Sequence, residues 1–546
     1  MNAAAGWLLG AALALPLAML LACLSSRLRA RMPALLAIAP VPALAAALLG
    51  SGGTLALPQI LLRLRFALDV PGALLLGVAA LLWIAAGIYA AAWLRDRPDG
   101  GRFVVWWLLT LSGSIGVFMA ADLVSFYLVF SMVSLAAYGL IVDDGTPRAR
   151  RNGLIYVALA LLGEAFLLMA FVLLAQSIAG DSLLISDAVA ALPKSPRHAS
   201  ILILLILGFG AKIGLVPFHI WMPLAYRATP IPAAAVLSGA AVKAGVIGLI
   251  RFLPLDVSTP VWGEVLVVTG LFSAFYGVAI GITQPNPKTV LAYSSVSQMG
   301  VIATVLGMAL TVGDGDAALS VGFYAAHHTL VKGALFLAVG VAAMTGARRL
   351  WPVVLLPATI LSLSLGGFPL TGGALTKLVV KAPVGDGTVG MLISLSSAGT
   401  TLLMIHFLCR LAVSSAASAT AAARARLVLP WLVMALACVV VPWAMYLTVM
   451  GGSITDVAAG ATLWSAVWPC LLGGALAIGL LRGASRLPRV PDGDIAGVVV
   501  VSATRFARVV GLTLGRLDEV LRQWPVAGVA LVGLAVVLTA LMLNGR

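Results

Sequence analysis

The sequence predicts an all-α polytopic membrane protein, and three observations carry that prediction. Apolar residues fill 62% of 546 positions and charged residues only 10%, against roughly a quarter charged in a soluble domain. No soluble core could bury so much apolar side chain, so the bilayer must act as the solvent. Apolar runs of bilayer-crossing length recur throughout. The basic residues, which give a net charge of +15, are scattered over the short loops between those runs. That placement marks membrane topology and excludes a nucleic-acid patch.

The runs fall near 3–24, 33–50, 72–94, 103–121, 123–142, 154–177, 199–218, 231–252, 260–282, 290–312, 318–345, 353–383, 388–412, 428–450, 462–481 and 525–543, about sixteen spans in all. The first lacks a basic start and resembles the rest, so it reads as a span and not as a cleavable signal. With the N-terminus outside, inward loops hold 23 of the 34 basic residues and outward segments only Arg63, Arg65, Lys194, Arg197, Arg251, Lys381 and Arg546. This asymmetry predicts both termini outside. From Ala503 to Trp524, Phe506, Val510, Leu514, Leu517, Leu521 and Trp524 share one helical face, and Arg505, Arg508, Arg516 and Glu519 share the other. That is an amphipathic surface helix, either a connector or a brace against a neighbouring subunit.

Four basic residues remain, Lys212, Lys243, Lys332 and Lys377, and all lie well inside apolar runs. They are four of seven lysines, and no arginine sits mid-span. Arginine keeps its charge in any plausible environment, whereas a buried lysine can give up its proton, so a path that passes protons favours lysine. Snorkelling to a helix end fails for Lys243 and Lys332, which sit midway along their runs. Glu164 is the one mid-span acid, and Lys212 on the next span is its expected partner; Glu164 facing a neighbouring subunit is the alternative. Asp122, at a span edge, reads as a solvated end. His328 and Lys332 share a helix face at i, i+4. His327 points about 100° away from His328, so the two do not form a metal pair. His406 lies within another span.

Two runs are interrupted by Gly and Pro around a lysine: Gly208 to Pro217 around Lys212, and Gly366 to Pro383 around Lys377. Broken helices in matching places of two halves mark ion sites. Lys377 follows Lys212 by 165 positions, His328 follows Glu164 by 164, and His406 follows Lys243 by 163. Five spans separate each pair, and an odd number inverts the second copy. The division expected is a three-helix segment over 1–100, a first five-helix repeat over 101–252, a second, inverted repeat over 253–412, further spans over 413–482, a linker with the amphipathic helix over 483–524 and a final span over 525–546.

Cys23, Cys409, Cys438 and Cys470 sit in apolar runs without metal-ligand spacing. No P-loop, no GxGxxG after a strand and no HExxH is present, so no cofactor or metal is expected.

With these residues in place, the chain resembles the antiporter-like membrane subunits of respiratory complex I (NADH-quinone oxidoreductase), Mrp-type multisubunit cation/proton antiporters and membrane-bound hydrogenases. The hydrogenase and Mrp D-type branch is the most similar in flavour. The matching stretches run from Lys212 to Pro223, Ser238 to Gly245, Lys288 to Gly300, His328 to Leu337 and Gly367 to Gly373. They span roughly 100–410. The resemblance implies two inverted five-helix repeats and a central polar axis. On that axis Lys212 and Lys377 are the lysines of the two broken helices, Lys243 is the connecting lysine, and His328 with Lys332 is the central pair. His219, His327 and Ser131 are further candidates. The chain departs from the family pattern where Ser131 stands at the usual fifth-span Glu and Leu224 at the usual Asp.

The function expected is a proton-translocating subunit of a multisubunit complex in a bacterial inner membrane, moving protons along Glu164, Lys212, Lys243, His328, Lys332, Lys377 and His406. Exchange against Na⁺ or K⁺ stays open. Partner membrane subunits would supply any redox energy. The alternative is a self-contained secondary transporter of a small solute or cation. A membrane enzyme would need a long aqueous loop with a catalytic constellation, and no loop here is long enough.

Overall fold

The computed structural model describes residues 2–58, 64–95, 97, 100–178, 180, 182–345, 351–414, 421–483, 488 and 490–495. The chain divides into two compact units, Met1–Asp492 and Gly493–Arg546, and only Gly493–Ile495 of the second are among the described residues. The amphipathic stretch 503–524 and the span 525–543 therefore lie outside them.

Apolar composition drives the chain into helices, because in hydrocarbon each backbone polar group must be satisfied within its own segment. In order these are α1 (Asn2–Ala22), α2 (Ser26–Arg29), α3 (Val41–Leu49), α4 (Val70–Leu94), α5 (Gly100–Met119), α6 (Leu123–Ile141), α7 (Pro147–Ala175), α8 (Ile185–Ala191), α9 (His198–Ile213), α10 (Trp221–Ala228), α11 (Ile231–Val236), α12 (Lys243–Phe252), α13 (Pro260–Gly281), α14 (Pro287–Val312) and α15 (Ala317–Ala343). There follow α16 (Leu356–Gly366), α17 (Gly372–Val384), α18 (Thr388–Val413), α19 (Ala421–Thr448), α20 (Ile454–Ala458) and α21 (Gly460–Gly483). Among the described residues, 13 helices are long and apolar enough to cross a membrane, counting α9 with α10 and α11 with α12 as single spans. The protein is a multi-pass, all-α membrane protein.

Two of the expected spans are not single helices. The run near 33–50 becomes a short 3₁₀ turn, Met32–Leu35, and nine-residue α3. Pro33, Pro40 and Pro42 each remove a backbone donor and break the ladder there. The run near 353–383 becomes α16 and α17, separated at Gly367. A short antiparallel hairpin also forms where the sequence suggested only a loop, pairing β1 (Thr54–Leu57) with β2 (Leu64–Ala67) in the register Thr54 to Ala67.

Side-chain caps fix several helix starts. Asp69 accepts from Gly72 N at 2.9 Å, Thr146 from Ala149 N at 3.1 Å and Asn286 from Lys288 N at 2.9 Å, each beside a proline in the first turn. Asp122 corrects the expectation of a solvated end. It is buried, caps α6 by accepting from Ser125 N at 2.8 Å, and accepts from Arg65 N at 2.7 Å.

The centre of the bundle is the α11–α12 span and α15, whose residues are almost all buried. α1 and α21 lie at the periphery and expose large apolar side chains such as Trp7, Leu21, Leu471 and Leu476. Small residues set the closest packing. A Cβ on Gly270 of α13 would meet Gly300 O of α14 at 2.6 Å, so these two helices touch backbone to backbone.

Candidate functional site

Both broken helices end their first arm on a glycine in the left-handed region: Gly214 at φ 75° closes α9, and Gly367 at φ 86° closes α16. Glycine carries no Cβ penalty in this conformation. The lysines nevertheless occupy opposite arms. Lys212 lies two positions before its glycine, on α9. Lys377 lies ten positions after its own, on α17, and its Nζ donates back to Gly366 O at the break. The equal sequence offsets therefore do not place these two lysines at equivalent points of the two breaks.

At the first break, Lys212 Nζ donates to Ser134 Oγ of α6 at 2.6 Å and lies 5.4 Å from the centre of the Phe130 ring. Glu164 of α7 is 5% exposed and Lys212 8% exposed. The two interact electrostatically across α7 and α9, and Ser131 and Ser134 lie beside the carboxylate. Among the described residues, Glu164 Oε1 is buried without a close hydrogen-bond partner. Two cavities of about 10 Å³ touch Lys212, and one of them also touches Tyr226. Each has room for roughly one water. Tyr226 in turn adjoins Ser238.

Between α11 and α12 the helix widens into a π turn over Leu237–Ala241. Such turns free a carbonyl and often mark functional sites. Here Ser238 O accepts from Lys243 Nζ at 3.3 Å. The same Nζ lies 2.5 Å from His328 Nδ1 on α15. Lys332 Nζ donates to Leu291 O of α14 at 2.9 Å and interacts electrostatically with Lys243 and His328. Lys243, His328 and Lys332 are fully buried. His328 and Lys332 share a face as expected, but His328's direct partner is Lys243, from another helix.

His327 faces the second break. Its Nε2 lies 2.9 Å from Ser364 Oγ of α16, which also accepts from Gly373 N at 3.2 Å, and it interacts electrostatically with Lys377. Lys377 lines a cavity of about 300 Å³ between α17, α18 and α21, with Lys381 and Asp386, paired at 3.0 Å, also on its wall. The structure thus brings together Glu164 with Lys212, Lys243 with His328 and Lys332, and His327 with Lys377. His406 stands elsewhere: its Nε2 donates to Gln284 O at 2.9 Å, and its charged neighbour is Arg410. His219 is buried 5.1 Å, ring to ring, from Tyr276.

The uncharged members of the row escaped the sequence reading. Tyr324 donates to Gln298 Oε1 at 2.6 Å, and Gln298 donates to Thr400 Oγ1 at 3.0 Å. Ser134, Ser238 and Ser364 each contact one titratable member of the row, Lys212, Lys243 and His327 respectively. The signal was present in Ser294–Gln298 and Ser396–Thr401, polar clusters inside spans, where each unpaired polar group is costly.

Residues 120–404 match the family described as NADH:quinone oxidoreductase/Mrp antiporter, transmembrane. Hydrogenase-4 component B of Escherichia coli (strain K12) is 28% identical over 291 residues, covering 51% of this chain and 43% of that protein. Na⁺/H⁺ antiporter subunit A1 of Staphylococcus haemolyticus (strain JCSC1435) is 30% identical over 314 residues, covering 53% and 39%. The chain thus spans less than half the length of these two relatives. Among solved structures, the Mrp complex from Dietzia sp. DQ12-45-1b superposes with a TM-score of 0.75 at 21% identity, covering 100% of this chain and 63% of that one. The membrane-bound sulfane sulfur reductase, an archaeal respiratory membrane complex, gives 0.70 at 19% identity, covering 98% and 99%. These two likenesses establish a shared fold.

Proposed function

Because the chain belongs to the NADH:quinone oxidoreductase/Mrp antiporter transmembrane family, we propose that it is a proton-translocating subunit of a multisubunit membrane complex. The observation that carries this reading is the contact of Lys243 Nζ with His328 Nδ1 at 2.5 Å, fully buried, with Lys332 beside it. In such a contact one nitrogen donates and the other accepts, so a proton between them has two homes. A lysine at membrane depth costs about 3 kcal/mol on insertion scales. Three buried lysines and a fourth, Lys377, half-buried within a span are hard to explain by stability, and transport explains them.

Protons would pass from the Glu164–Lys212 pair through Tyr226 and Ser238 to Lys243, His328 and Lys332, then by His327 to Lys377 and its cavity. The water-sized cavities at Lys212 and the Ser294 Oγ, Ser297 Oγ and His328 Nε2 atoms, which have no partner among the described residues, suit a hydrogen-bonded relay completed by water. Glu164 serves as the counter-charge of Lys212. The broken helices suit two inverted repeats, each holding part of the path.

The loops and helix ends bearing Arg97, Asp143, Asp144, Arg148, Arg227 and Lys288 would face the cytoplasm of a bacterial inner membrane, and the Lys381 end the outside. Relatives named for hydrogenase and Na⁺/H⁺ antiporter assemblies support a complex with other membrane subunits and make Na⁺ the first counter-ion to test. Affinity purification from native membranes tests the assembly: other membrane subunits should co-purify. A chain recovered alone that still transports would establish a self-contained transporter instead.

A further inference from the structure

A second basic feature lies away from the proton row. Where α2 and the 3₁₀ turn after it meet the C-terminal end of α4 and the start of α19, a groove of about 860 Å³ opens to the surface, and Arg29, Arg31, Arg95, Arg97 and Arg426 line it. No acidic side chain is among the described residues of its wall. The volume lies in the range of small-molecule sites.

Two of these arginines are held in place. Arg97 sits 3.7 Å over the Trp93 ring and pairs with Asp144 at 3.2 Å, outside the groove. The stem of Arg29 crosses Gly101 so closely that a Cβ there would meet its Cδ at 3.2 Å. Arg31, Arg95 and Arg426 are exposed. The rest of the groove is apolar: Ile88 on α4 and Leu429 on α19 are exposed large side chains, next to Pro33 and Ala34. Guanidinium groups therefore stand at the level where spanning helices end, over an apolar wall that continues toward the hydrocarbon. A phosphodiester with attached acyl chains presents the complementary pattern, since arginine grips phosphate oxygens two at a time and the chains cover Ile88 and Leu429.

We infer that this groove binds the headgroup of an anionic phospholipid and anchors α2 and α19 against α4 through it. The inference is independent of the transport reading.

The test uses the full chain purified in detergent. Its melting midpoint is measured with added cardiolipin, phosphatidylglycerol, phosphatidylcholine or inorganic phosphate. The two anionic lipids should raise the midpoint, and phosphatidylcholine and phosphate should not. Arg31→Gln with Arg426→Gln should lose the shift, and Lys194→Gln, at another loop, should keep it. An unchanged cardiolipin shift in the double variant overturns the site, as does a full shift from phosphate alone. Native mass spectrometry of the unaltered protein adds a reading that no variant's folding affects: anionic lipid adducts surviving excess phosphatidylcholine support the site, and their absence overturns it. A double variant that keeps its lipid but sheds neighbouring subunits from the native complex would show a protein interface instead.

Discussion

Lys243 and His328, 85 positions apart on separate helices, bring Nζ and Nδ1 within 2.5 Å at the fully buried centre of the bundle. If the two share one proton in one relay, their losses are not additive. Lys243→Met and His328→Ala should each cut proton flux in vesicles by about tenfold or more, about 1.4 kcal/mol of barrier, and the double variant should fall little further. Losses that multiply would place the two residues in separate roles.

Glu164 is expected to act as the counter-charge of Lys212. Glu164→Gln should depress flux, and adding Ser131→Glu, whose side chain would enter the same buried pocket, should restore part of it. Normal flux in Glu164→Gln removes the carboxylate from the path. Loss of assembly without rescue would place Glu164 at a subunit interface.

The break at Gly367 is a second point of leverage. Gly367→Ala puts a Cβ on a residue at φ 86° and against the Lys377 side chain. The left-handed conformation alone costs about 1–2 kcal/mol. The variant should melt several degrees lower, and its flux should drop as Lys377 is displaced. An unchanged melting curve would mean that the break relaxes freely.

Sidedness is read by cysteine labelling in a background cleared of Cys23, Cys409, Cys438 and Cys470. Asp386, whose side chain is 82% exposed, should react as Asp386→Cys with an impermeant maleimide added outside, and Asp144→Cys only after the membrane is opened. The reverse pattern would invert the topology.

Much of this architecture was legible in the sequence, because hydrocarbon enforces helices and makes a mid-span charge conspicuous. The apolar runs located the 13 long helices among the described residues, and Lys212, Lys243 and Lys332 proved buried, while Lys377 is half-buried on a cavity wall. Tertiary contacts were not legible. The π turn at Leu237–Ala241 turns Ser238 O toward Lys243, and no periodicity announces it. The i, i+4 spacing of His328 and Lys332 concealed that His328 pairs across helices. The offsets of 163–165 aligned Lys212 with Lys377 and Lys243 with His406, yet the first pair sits on opposite arms of the breaks and His406 bonds the Gln284 backbone. Three prolines undid the second span, a local rule outvoted by the apolar count.

The most direct measurement is the pH gradient built by vesicles holding the native complex, followed by a quenched fluorescent amine, with Lys332→Met against the unaltered chain. Lys332 is fully buried at the middle of the row and donates to Leu291 O. Proton carriage along this row predicts a normally assembled complex whose gradient collapses to the level of empty vesicles. A normal gradient in assembled Lys332→Met vesicles would contradict it.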